Sequence, residues 1–441
     1  LLSCAQSFAT EGQTGKAEAI CRKLYNADND VVVQAGALLN LIELKVSDSQ
    51  ELILHAAKGE NAIIQRAAMQ AVSSLDNETQ LEKIADQIPG LSTSTQIQLV
   101  TALAKNPLKI GKRQVEELIN SPDMSVRVSV YRALVDLGNA DSVLLLARAA
   151  AEASDRFEQN EARNALYRIS DINANQTIVE QIKLIPDNGV EENIALEFVK
   201  SCPERQITEA APALFTAAKT ANRKMAAEAV QALQMLATPN DLPNFVDLLI
   251  EKPLPFTENA YIVVAGKIED RNQRAKPLLQ KYPEIKSEKS RESALSVLGK
   301  IGDINAVALL EKEFASSNPD IRQAAFRAMT DWPGSDFLQK MKSLIQTGSD
   351  AKTKILAFRA YIRMLDMSAN DTNKRQIVDE LMAAYSLAER TDEQRMIIGI
   401  LGHYGSFKAL AFVEAKLAES ALQAEAEVSL VQISEKLMIR N

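Results

Sequence analysis

The sequence predicts an all-α fold, an α-solenoid of about 13 stacked helical hairpins. Two segments, "SPDMSVRVSVYRALVDLG" at 121–138 and "SNPDIRQAAFRAMTDWPG" at 317–334, share one pattern although they lie far apart in the chain. Apolar residues that occupy an equivalent position of this pattern recur through the whole sequence at a nearly constant spacing. No sustained alternation of polar and apolar residues, which would indicate β-strands, accompanies them.

The first of these segments defines the repeat unit. Val126, Val130 and Leu134 fall at helical spacing, so one face of the predicted helix is apolar. Asp123 provides a start signal and Gly138 a stop signal. The stretch "DSVLLLARAAAEA" that follows directly predicts a second amphipathic helix. The unit is therefore a helix, a short turn and another helix.

The apolar anchor equivalent to Leu134 recurs along the chain. Nine of the twelve steps between successive anchors are 32 to 34 residues long, and helical periodicity alone would not produce such a regular spacing. A period near 33 with two helices indicates a solenoid, in which each hairpin buries its apolar faces against its neighbours. The anchors are Leu38, Val72, Val100, Leu134, Leu166, Phe198, Val230, Val263, Leu295, Met329, Tyr361, Leu401 and Leu430.

A single array over residues 1–441 is expected, because no Ser/Gly-rich linker or run of charge divides the chain. The chain begins "LLSCAQSFAT" without Met, which predicts that its first repeat is truncated. The step from Tyr361 to Leu401 is long, and the polar stretch "LDMSANDTNKRQ" (365–376) is expected to fill the excess as a loop.

The order "PD", "VR", "AL", "LG" in 121–138 resembles the HEAT-repeat family, and 289–314 is similar to a third copy. The remaining copies keep mainly their apolar anchors. HEAT motifs are loose, so this resemblance implies a fold rather than a function.

A narrower resemblance lies in the last third of the chain, where "SALSVLGKIGDINAVALLEKEF", "DIRQAAFRAMTDWP", "ILAFRAYIRML" and "RMIIGILGHYG" follow one another. This order is similar to HEAT regions of secreted proteins from Bacteroidetes and Planctomycetes. Those regions often precede a concanavalin-like, keto-disaccharide hydrolase-type domain, and no such β-rich domain is predicted here. The resemblance implies the helical accessory part of a periplasmic or extracellular sugar-processing protein, with a hydrolase domain as its partner.

Composition and charge weigh against two classes of partner. The chain has 50 Lys and Arg against 58 Asp and Glu, so its net charge is −8, which argues against nucleic acid unless a local basic groove exists. No apolar run approaches the ~20 residues of a membrane span. The spacing of Cys4, Cys21 and Cys202 matches no metal or redox motif, so buried thiols are expected.

Motifs for catalysis or cofactor binding are missing. The only histidines, His55 and His403, lie in no His-Glu pair, and HExxH, CxxC and GxSxG do not occur. "EGQTGKA" (11–17) departs from a P-loop and predicts a turn before a helix, while "GILGHYG" (399–405) predicts close helix packing. Trp332 is expected to pack between repeats. No catalytic, cofactor-binding or metal-binding residue is predicted.

Charged residues recur at matched positions. Arg127 and Arg322 share one position and Asp136 and Asp331 another, which predicts a ladder of ion pairs between repeats. If the second helices of the hairpins line a groove, the polar residues to inspect there are Arg132, Arg168, Arg327, Arg359 and Arg363.

The sequence thus favours a non-enzymatic scaffold that binds a protein partner or docks a hydrolase domain in bacterial glycan processing. The alternative is a carbohydrate-binding protein or a carboxylate-based glycan-processing enzyme, because two carboxyl groups roughly 5–10 Å apart would suffice. The identity of the partner, the binding residues and the oligomeric state stay open.

Overall fold

The computed structural model describes residues 1–26, 30–348 and 350–439. Within these ranges every regular element is helical: 27 α-helices and eight short 3-10 segments, with no β-strand. The predicted all-α class is therefore confirmed.

The chain forms two compact units, Leu1–Leu236 and Ala237–Asn441. The first unit contains α1 (Leu2–Thr10), α2 (Thr14–Asn26), α3 (Val31–Glu43), α4 (Ser49–Lys58), α5 (Ala62–Ser74), α6 (Glu78–Ala85), α7 (Thr93–Lys105), α8 (Lys112–Glu117), α9 (Met124–Leu137), α10 (Ser142–Glu152), α11 (Arg156–Arg168), α12 (Ala174–Lys183), α13 (Glu192–Glu204), α14 (Ala211–Thr220) and α15 (Arg223–Leu236). Its 3-10 segments are Ile88–Gly90, Leu118–Asn120, Ile185–Asp187 and Thr208–Ala210.

The second unit contains α16 (Leu242–Glu251), α17 (Pro255–Gly266), α18 (Lys276–Lys281), α19 (Glu288–Ile301), α20 (Val307–Phe314), α21 (Pro319–Asp331), α22 (Leu338–Thr347), α23 (Ala351–Met367), α24 (Lys374–Tyr385), α25 (Thr391–Leu401), α26 (Phe407–Glu414) and α27 (Gln423–Met438). Its 3-10 segments are Pro239–Asp241, Arg271–Gln273, Tyr282–Glu284 and Ile304–Ala306. The prediction of one array over 1–441 concerns how the units join, and it stays a prediction.

Helices pack as stacked pairs within each unit. From α2 onward, each even-numbered helix packs against the odd-numbered helix that follows it, except that the short α18 packs against α16. Successive odd-numbered helices also contact each other, from α3 to α15 in the first unit and from α17 to α27 in the second. In chain order the described helices after α1 make 13 pairs, and twelve of these pairs are packed, so the predicted solenoid of about 13 helical hairpins is confirmed.

The predicted anchors lie one on each odd-numbered helix from α3 to α27, and eleven of them are buried. Two choices were wrong in detail. Val263 is exposed, and its neighbour Val264 is buried in its place, because α17 presents the other side of this apolar run to the core. On α27, Leu430 is only partly buried, and Ile433 lies in the core instead.

Short polar side chains begin many of the odd-numbered helices. At Asp123, as predicted, the carboxylate accepts a hydrogen bond from the backbone N–H of Ser125, and Gly138 follows the last turn of α9. Such caps satisfy N–H groups that have no partner inside the helix. The equivalent residues are Asp30, Asn61, Ser92, Asp155, Ser287, Asn318 and Asp350.

Carbonyl groups at the helix C-termini receive hydrogen bonds from the next odd-numbered helix. Nδ2 of Asn106, just after α7, donates to the Val72 and Leu75 carbonyls at 2.7 and 2.9 Å. Nη1 of Arg205, just after α13, donates to three carbonyls at the end of α11, each at 3.1 Å. In the second unit, Arg363 donates to the Thr330 and Trp332 carbonyls, and Lys436 donates to the Gly402 carbonyl. These bonds tie neighbouring repeats together.

The long spacing between the anchors Tyr361 and Leu401 has a different origin from the one expected. Helix α23 runs to Met367 and α24 begins at Lys374, so the loop covers only 368–373. Much of the excess lies in α23, which has 17 residues. Its apolar face continues with Tyr361, Met364 and Leu365, which lie at helical spacing and are buried, so the polar residues of 365–376 are shared between helix ends and loop.

Two packing predictions are confirmed. Trp332 is fully buried, stacks edge-on against Phe337 with ring centroids 5.1 Å apart, and donates its indole N–H to Asp336 at 2.7 Å. At Gly402 a Cβ atom would lie 2.4 Å from the Gln432 side chain and 3.3 Å from the Ser429 Cα. The "GILGHYG" segment is therefore a site of close helix packing against α27.

Candidate interaction surface

The solvent-facing side of α5, α7, α9 and the first turn of α11 forms two adjoining cavities in the first unit. Their volumes are about 500 Å³ and about 540 Å³, and both are lined by Ile97, Thr101 and Lys105 on α7. We call this surface the α5–α11 groove. Because the anchors of these helices point into the core, the groove is built from positions on the opposite side of each helix.

Apolar side chains line the groove at intervals. Phe157, in the first turn of α11, is 53% exposed, and Met124, in the first turn of α9, is 39% exposed. Met69 and Ile97 are half-buried beside them. Exposed large apolar side chains grouped in a concave surface are typical of binding sites.

The charged residues of the groove are mainly cationic. Arg66 on α5 and Lys105 on α7 are exposed, and in the described part of the chain their side chains have no ion-pair or hydrogen-bond partner. Arg132 on α9 donates to Glu161 at 2.7 Å but stays 62% exposed. Asp136 is the acidic residue of this lining. An acidic protein thus presents a locally basic groove.

The five arginines predicted for a groove all lie on odd-numbered helices, but they have different roles. Arg132 is a groove residue, whereas Arg168 and Arg327 are exposed without a side-chain partner among the described residues. Arg359 and Arg363 are only partly exposed and bond to neighbouring repeats. The arginines therefore do not form one site.

A ladder of ion pairs between repeats does exist, with other acidic partners than expected. Nε and Nη2 of Arg127 donate to the two carboxylate oxygens of Glu158 on α11, at 2.6 and 2.7 Å, and the Tyr131 hydroxyl donates to the same carboxylate at 2.8 Å. In the described ranges, Arg322, Asp136 and Asp331 take part in no ion pair, so the prediction that these three residues belong to the ladder was wrong. They face solvent, while the true acceptors lie at the helix junctions.

Two further pairs repeat this arrangement. Arg163 on α11 donates to Glu197 on α13 at 2.7 and 2.8 Å, and Arg359 on α23 donates to Glu393 on α25 at 2.9 Å. Both glutamates are buried. The sequence-based reasoning missed them, although a glutamate on the apolar side of a predicted helix was the available signal.

The contacts of Glu158 and Glu197 favour the ionised form of these two carboxylates. Hydrogen bonds from Arg127 lower the pKa of Glu158, although burial opposes this shift. Burial alone would raise the pKa of Glu197, but the hydrogen bonds from Arg163 and the nearby Lys200 outweigh it and lower that pKa. Burial raises the pKa of the Tyr131 hydroxyl, and so does its hydrogen bond to Glu158. The pairs are suited to holding helices together rather than to transferring protons.

Cysteine and histidine positions agree only in part with expectation. Cys21 and Cys202 are buried, and burial raises the pKa of the Cys202 thiol to about 12. Cys4 is exposed, so its predicted burial was wrong, because α1 turns this residue outward. Both histidines are exposed on helical hairpins, and Nδ1 of His403 lies 3.3 Å from the carboxylate of Asp366.

Among the described residues, no group of three or more His, Cys, Asp or Glu side chains is arranged to hold a metal ion. No described helix combines the length and the apolar character needed to cross a bilayer.

The second unit has its own cavity, of about 410 Å³, between α22, α23 and the start of α25. Phe358 and Leu387 are apolar residues of its lining. The lining also holds two cationic side chains, Lys354 and Arg390, and three acidic ones, Asp350, Glu389 and Glu393. The charge of this cavity is therefore much less one-sided than that of the α5–α11 groove.

No protein-family model matches the chain, and no curated protein matches it. Among solved structures, the chain is similar to Kap95p, described with RanGDP in nuclear import, at 15% identity and a TM-score of 0.42, covering 99% of this chain and 70% of that one. It is also similar to Kap121p bound to the extreme C-terminus of the protein phosphatase Cdc14p, at 12% identity and a TM-score of 0.45, covering 96% and 50%. A structure of importin beta gives 13% identity, a TM-score of 0.40 and coverage of 94% and 71%.

These likenesses are of the helical-repeat kind already evident from the helix contacts. They concern proteins of low identity, and the chain spans only about half the length of Kap121p. The narrower resemblance to hydrolase-associated HEAT regions stays a prediction from the sequence.

Proposed function

We propose that this protein is a non-enzymatic helical-repeat scaffold that binds a protein partner through the α5–α11 groove. The observation that carries the proposal is the pair of adjoining cavities on the solvent-facing side of stacked helices, with exposed Met124 and Phe157 in their lining. A partner that covers these side chains would remove apolar surface from water, which favours association.

The ionisation of the buried carboxylates supports a non-enzymatic role. A glycosidase needs a general acid whose pKa is raised, beside a second carboxylate. In Glu158 and Glu197 the pKa is lowered by arginine instead, and each carboxylate is occupied by structural hydrogen bonds. Neither group is therefore suited to protonate a leaving group.

The finer parts of the proposal rest on the sequence resemblance alone. These are a hydrolase-type domain as the partner, a part in bacterial glycan processing, and a periplasmic or extracellular location. A glycan ligand in the groove remains the alternative function, because scattered polar side chains line it.

Site-specific photo-crosslinking tests the scaffold. A photoreactive phenylalanine analogue is placed at Phe157 in the groove or, as a control, at Ile172, which is 90% exposed between α11 and α12. The purified proteins are irradiated in an extract of the source organism, and adducts are identified by mass spectrometry. We expect one protein to be captured from position 157 and not from position 172, and the substitution Met124→Gln to weaken that capture.

The proposal fails if position 157 yields no protein adduct, or yields the same adducts as position 172. A thermal-unfolding series with a panel of oligosaccharides distinguishes the alternative. A rise in the melting temperature with one sugar, together with the absence of a protein adduct, would establish the glycan-binding function in place of the scaffold.

A further inference from the structure

The charge of the α5–α11 groove is opposite in sign to that of the chain. Its lining has three cationic residues, Arg66, Lys105 and Arg132, and one acidic residue, Asp136. Arg132 is paired with Glu161, so the positive excess comes from Arg66 and Lys105. The whole chain has a net charge of −8. A basic groove in an acidic protein attracts anionic groups to that groove and repels them elsewhere, which favours one binding site over the rest of the surface.

Two of these cations are free to bind a partner. Arg66 and Lys105 are exposed, and no described residue forms an ion pair or hydrogen bond with either side chain. By contrast, Arg127 and Arg163 are engaged by buried glutamates. Unlike these two arginines, Arg66 and Lys105 are therefore available to anionic groups of a partner in the groove.

The apolar residues indicate what kind of anion fits. Met69, Ile97, Met124 and Phe157 lie among the cations, so an occupant with both carboxylates and large apolar side chains would match the surface. Nucleic acid would bring phosphates without apolar side chains. Its affinity grows with the number of phosphates that are neutralised, and three cations neutralise few of them.

The length of the groove sets the length of the occupant. It runs across four odd-numbered helices, α5, α7, α9 and α11, each of which contacts the next in this series. Packed helix axes lie about 8–10 Å apart, so three intervals span about 24–30 Å. An extended peptide advances about 3.3 Å per residue and would cross this distance in about eight residues.

We infer that the α5–α11 groove binds an acidic segment of a partner protein, about eight residues long, that carries at least two large apolar side chains. This inference rests on the proposed scaffold function and specifies its ligand. The carboxylates of the segment pair with Arg66 and Lys105, and its apolar side chains cover Met124 and Phe157.

Fluorescence anisotropy with defined probes tests this inference. Three labelled eight-residue peptides each contain one Leu and one Phe at fixed positions, and their other positions are mainly Glu, mainly Gln or mainly Lys. A labelled eight-nucleotide single strand is the fourth probe. Each is titrated with the full chain at low and at high salt.

The variant Arg66→Gln/Lys105→Gln removes the unpaired cations. Its matched control is Lys58→Gln/Lys183→Gln, which removes two exposed cations from even-numbered helices, α4 and α12, and changes the net charge equally. We expect the Glu peptide to bind more tightly than the other probes and to weaken at high salt. The groove variant should lose about tenfold in affinity, and the control should lose about twofold or less.

The inference is overturned if the Gln peptide binds as tightly as the Glu peptide, if groove and control variants lose affinity equally, if no peptide binds, or if the oligonucleotide binds best. The photo-crosslinking result separates this failure from that of the scaffold. A protein captured at Phe157 whose capture is unchanged by Arg66→Gln/Lys105→Gln keeps the scaffold and removes the acidic ligand.

Discussion

Helices α9 and α21 carry the two most alike segments of the chain, and they begin in the same way. Asp123 caps α9 and Asn318 caps α21. In both, an arginine side chain donates to a carbonyl six residues earlier: Arg127 to Ser121 at 2.7 Å and Arg322 to Ser316 at 2.8 Å. The repeated sequence therefore reproduces a local structure.

The same two helices differ in how they bond to the following repeat. Arg127 and Tyr131 on α9 both hold Glu158 at the start of α11. On α21 the residue four positions after Arg322 is Phe326, which has no hydroxyl. Glu158 lies three residues after Asp155, the cap of α11. The residue three positions after Asp350, the cap of α23, is Thr353, and its hydroxyl donates to Asp350 at 2.8 Å.

The second copy therefore lacks both partners of this bond, because Phe326 replaces the Tyr131 hydroxyl and Thr353 replaces the Glu158 carboxylate. Phe326 instead packs near Phe314, with ring centroids 6.0 Å apart. A bond between repeats needs suitable residues in both of them, whereas a helix cap needs only its own segment. This difference separates what a repeat specifies by itself from what it specifies with its neighbour.

The largest effect is expected for Glu158→Ala. Its removal leaves Arg127, only 23% exposed, and the Tyr131 hydroxyl without their acceptor, so the first unit should lose about 3 kcal/mol of unfolding free energy. Thr353→Ala at the matching position should cost about 0.5 kcal/mol. Urea unfolding followed by circular dichroism measures both, and equal losses would contradict the distinction between the two copies.

The next largest effect is expected for Gly299→Ala, which tests the packing of α21. An added Cβ would lie 2.5 Å from the Ala328 Cα, so α19 and α21 would have to separate, at a cost of about 2 kcal/mol. Gly299 lies four residues after the anchor Leu295 of α19. In α7 the equivalent position, four residues after the anchor Val100, is occupied by Ala104. Gly15→Ala on α2, where a Cβ meets nothing within 4 Å, is the control and should be neutral or stabilising. A neutral Gly299→Ala would show that α19 and α21 are not constrained in this way.

A smaller effect is expected in the pH dependence of stability. The pKa of Glu158 is lowered from 4.5 in the folded chain, chiefly by Arg127, so the unfolded chain binds the proton first as the pH falls. The stabilisation is present above the unfolded pKa and is lost as the pH falls through the folded pKa. Between about pH 5 and about pH 3, Glu158→Gln should therefore lose less stability than the wild type. Thr353→Ala should keep the wild-type slope, and an unchanged slope in Glu158→Gln would exclude this ion pair as its source.

The smallest effect is expected for Arg322→Ala, about 0.5–1 kcal/mol, because this exposed arginine stabilises only the turn before its own helix. Arg127→Ala should cost several times more, because it leaves the buried Glu158 without its cation. Thermal unfolding of the two variants compares them directly. Similar losses would mean that the turn, rather than the contact between repeats, accounts for the role of both arginines.

The fold was predictable because its main signal is periodic. An anchor such as Leu134 recurs once per repeat, and burial requires the same face each time. The error at Val263 arose because three successive apolar residues leave the helical phase undetermined. The candidate site was less predictable. Arg132 was identified, but Arg66, Lys105 and Phe157 belong to segments that keep little of the repeat pattern, and only their position around the helix places them in one groove.

The bonds to helix C-termini have a consequence for synthesis of the chain. The carbonyls at the end of α5 are completed by Asn106, and those at the end of α11 by Arg205, both of which come one repeat later in the sequence. A ribosome therefore releases these two hairpins with one end still bonded to water, and each reaches its final stability only when its successor emerges. Folding of the nascent chain should therefore lag translation by one hairpin wherever a helix end is completed in this way.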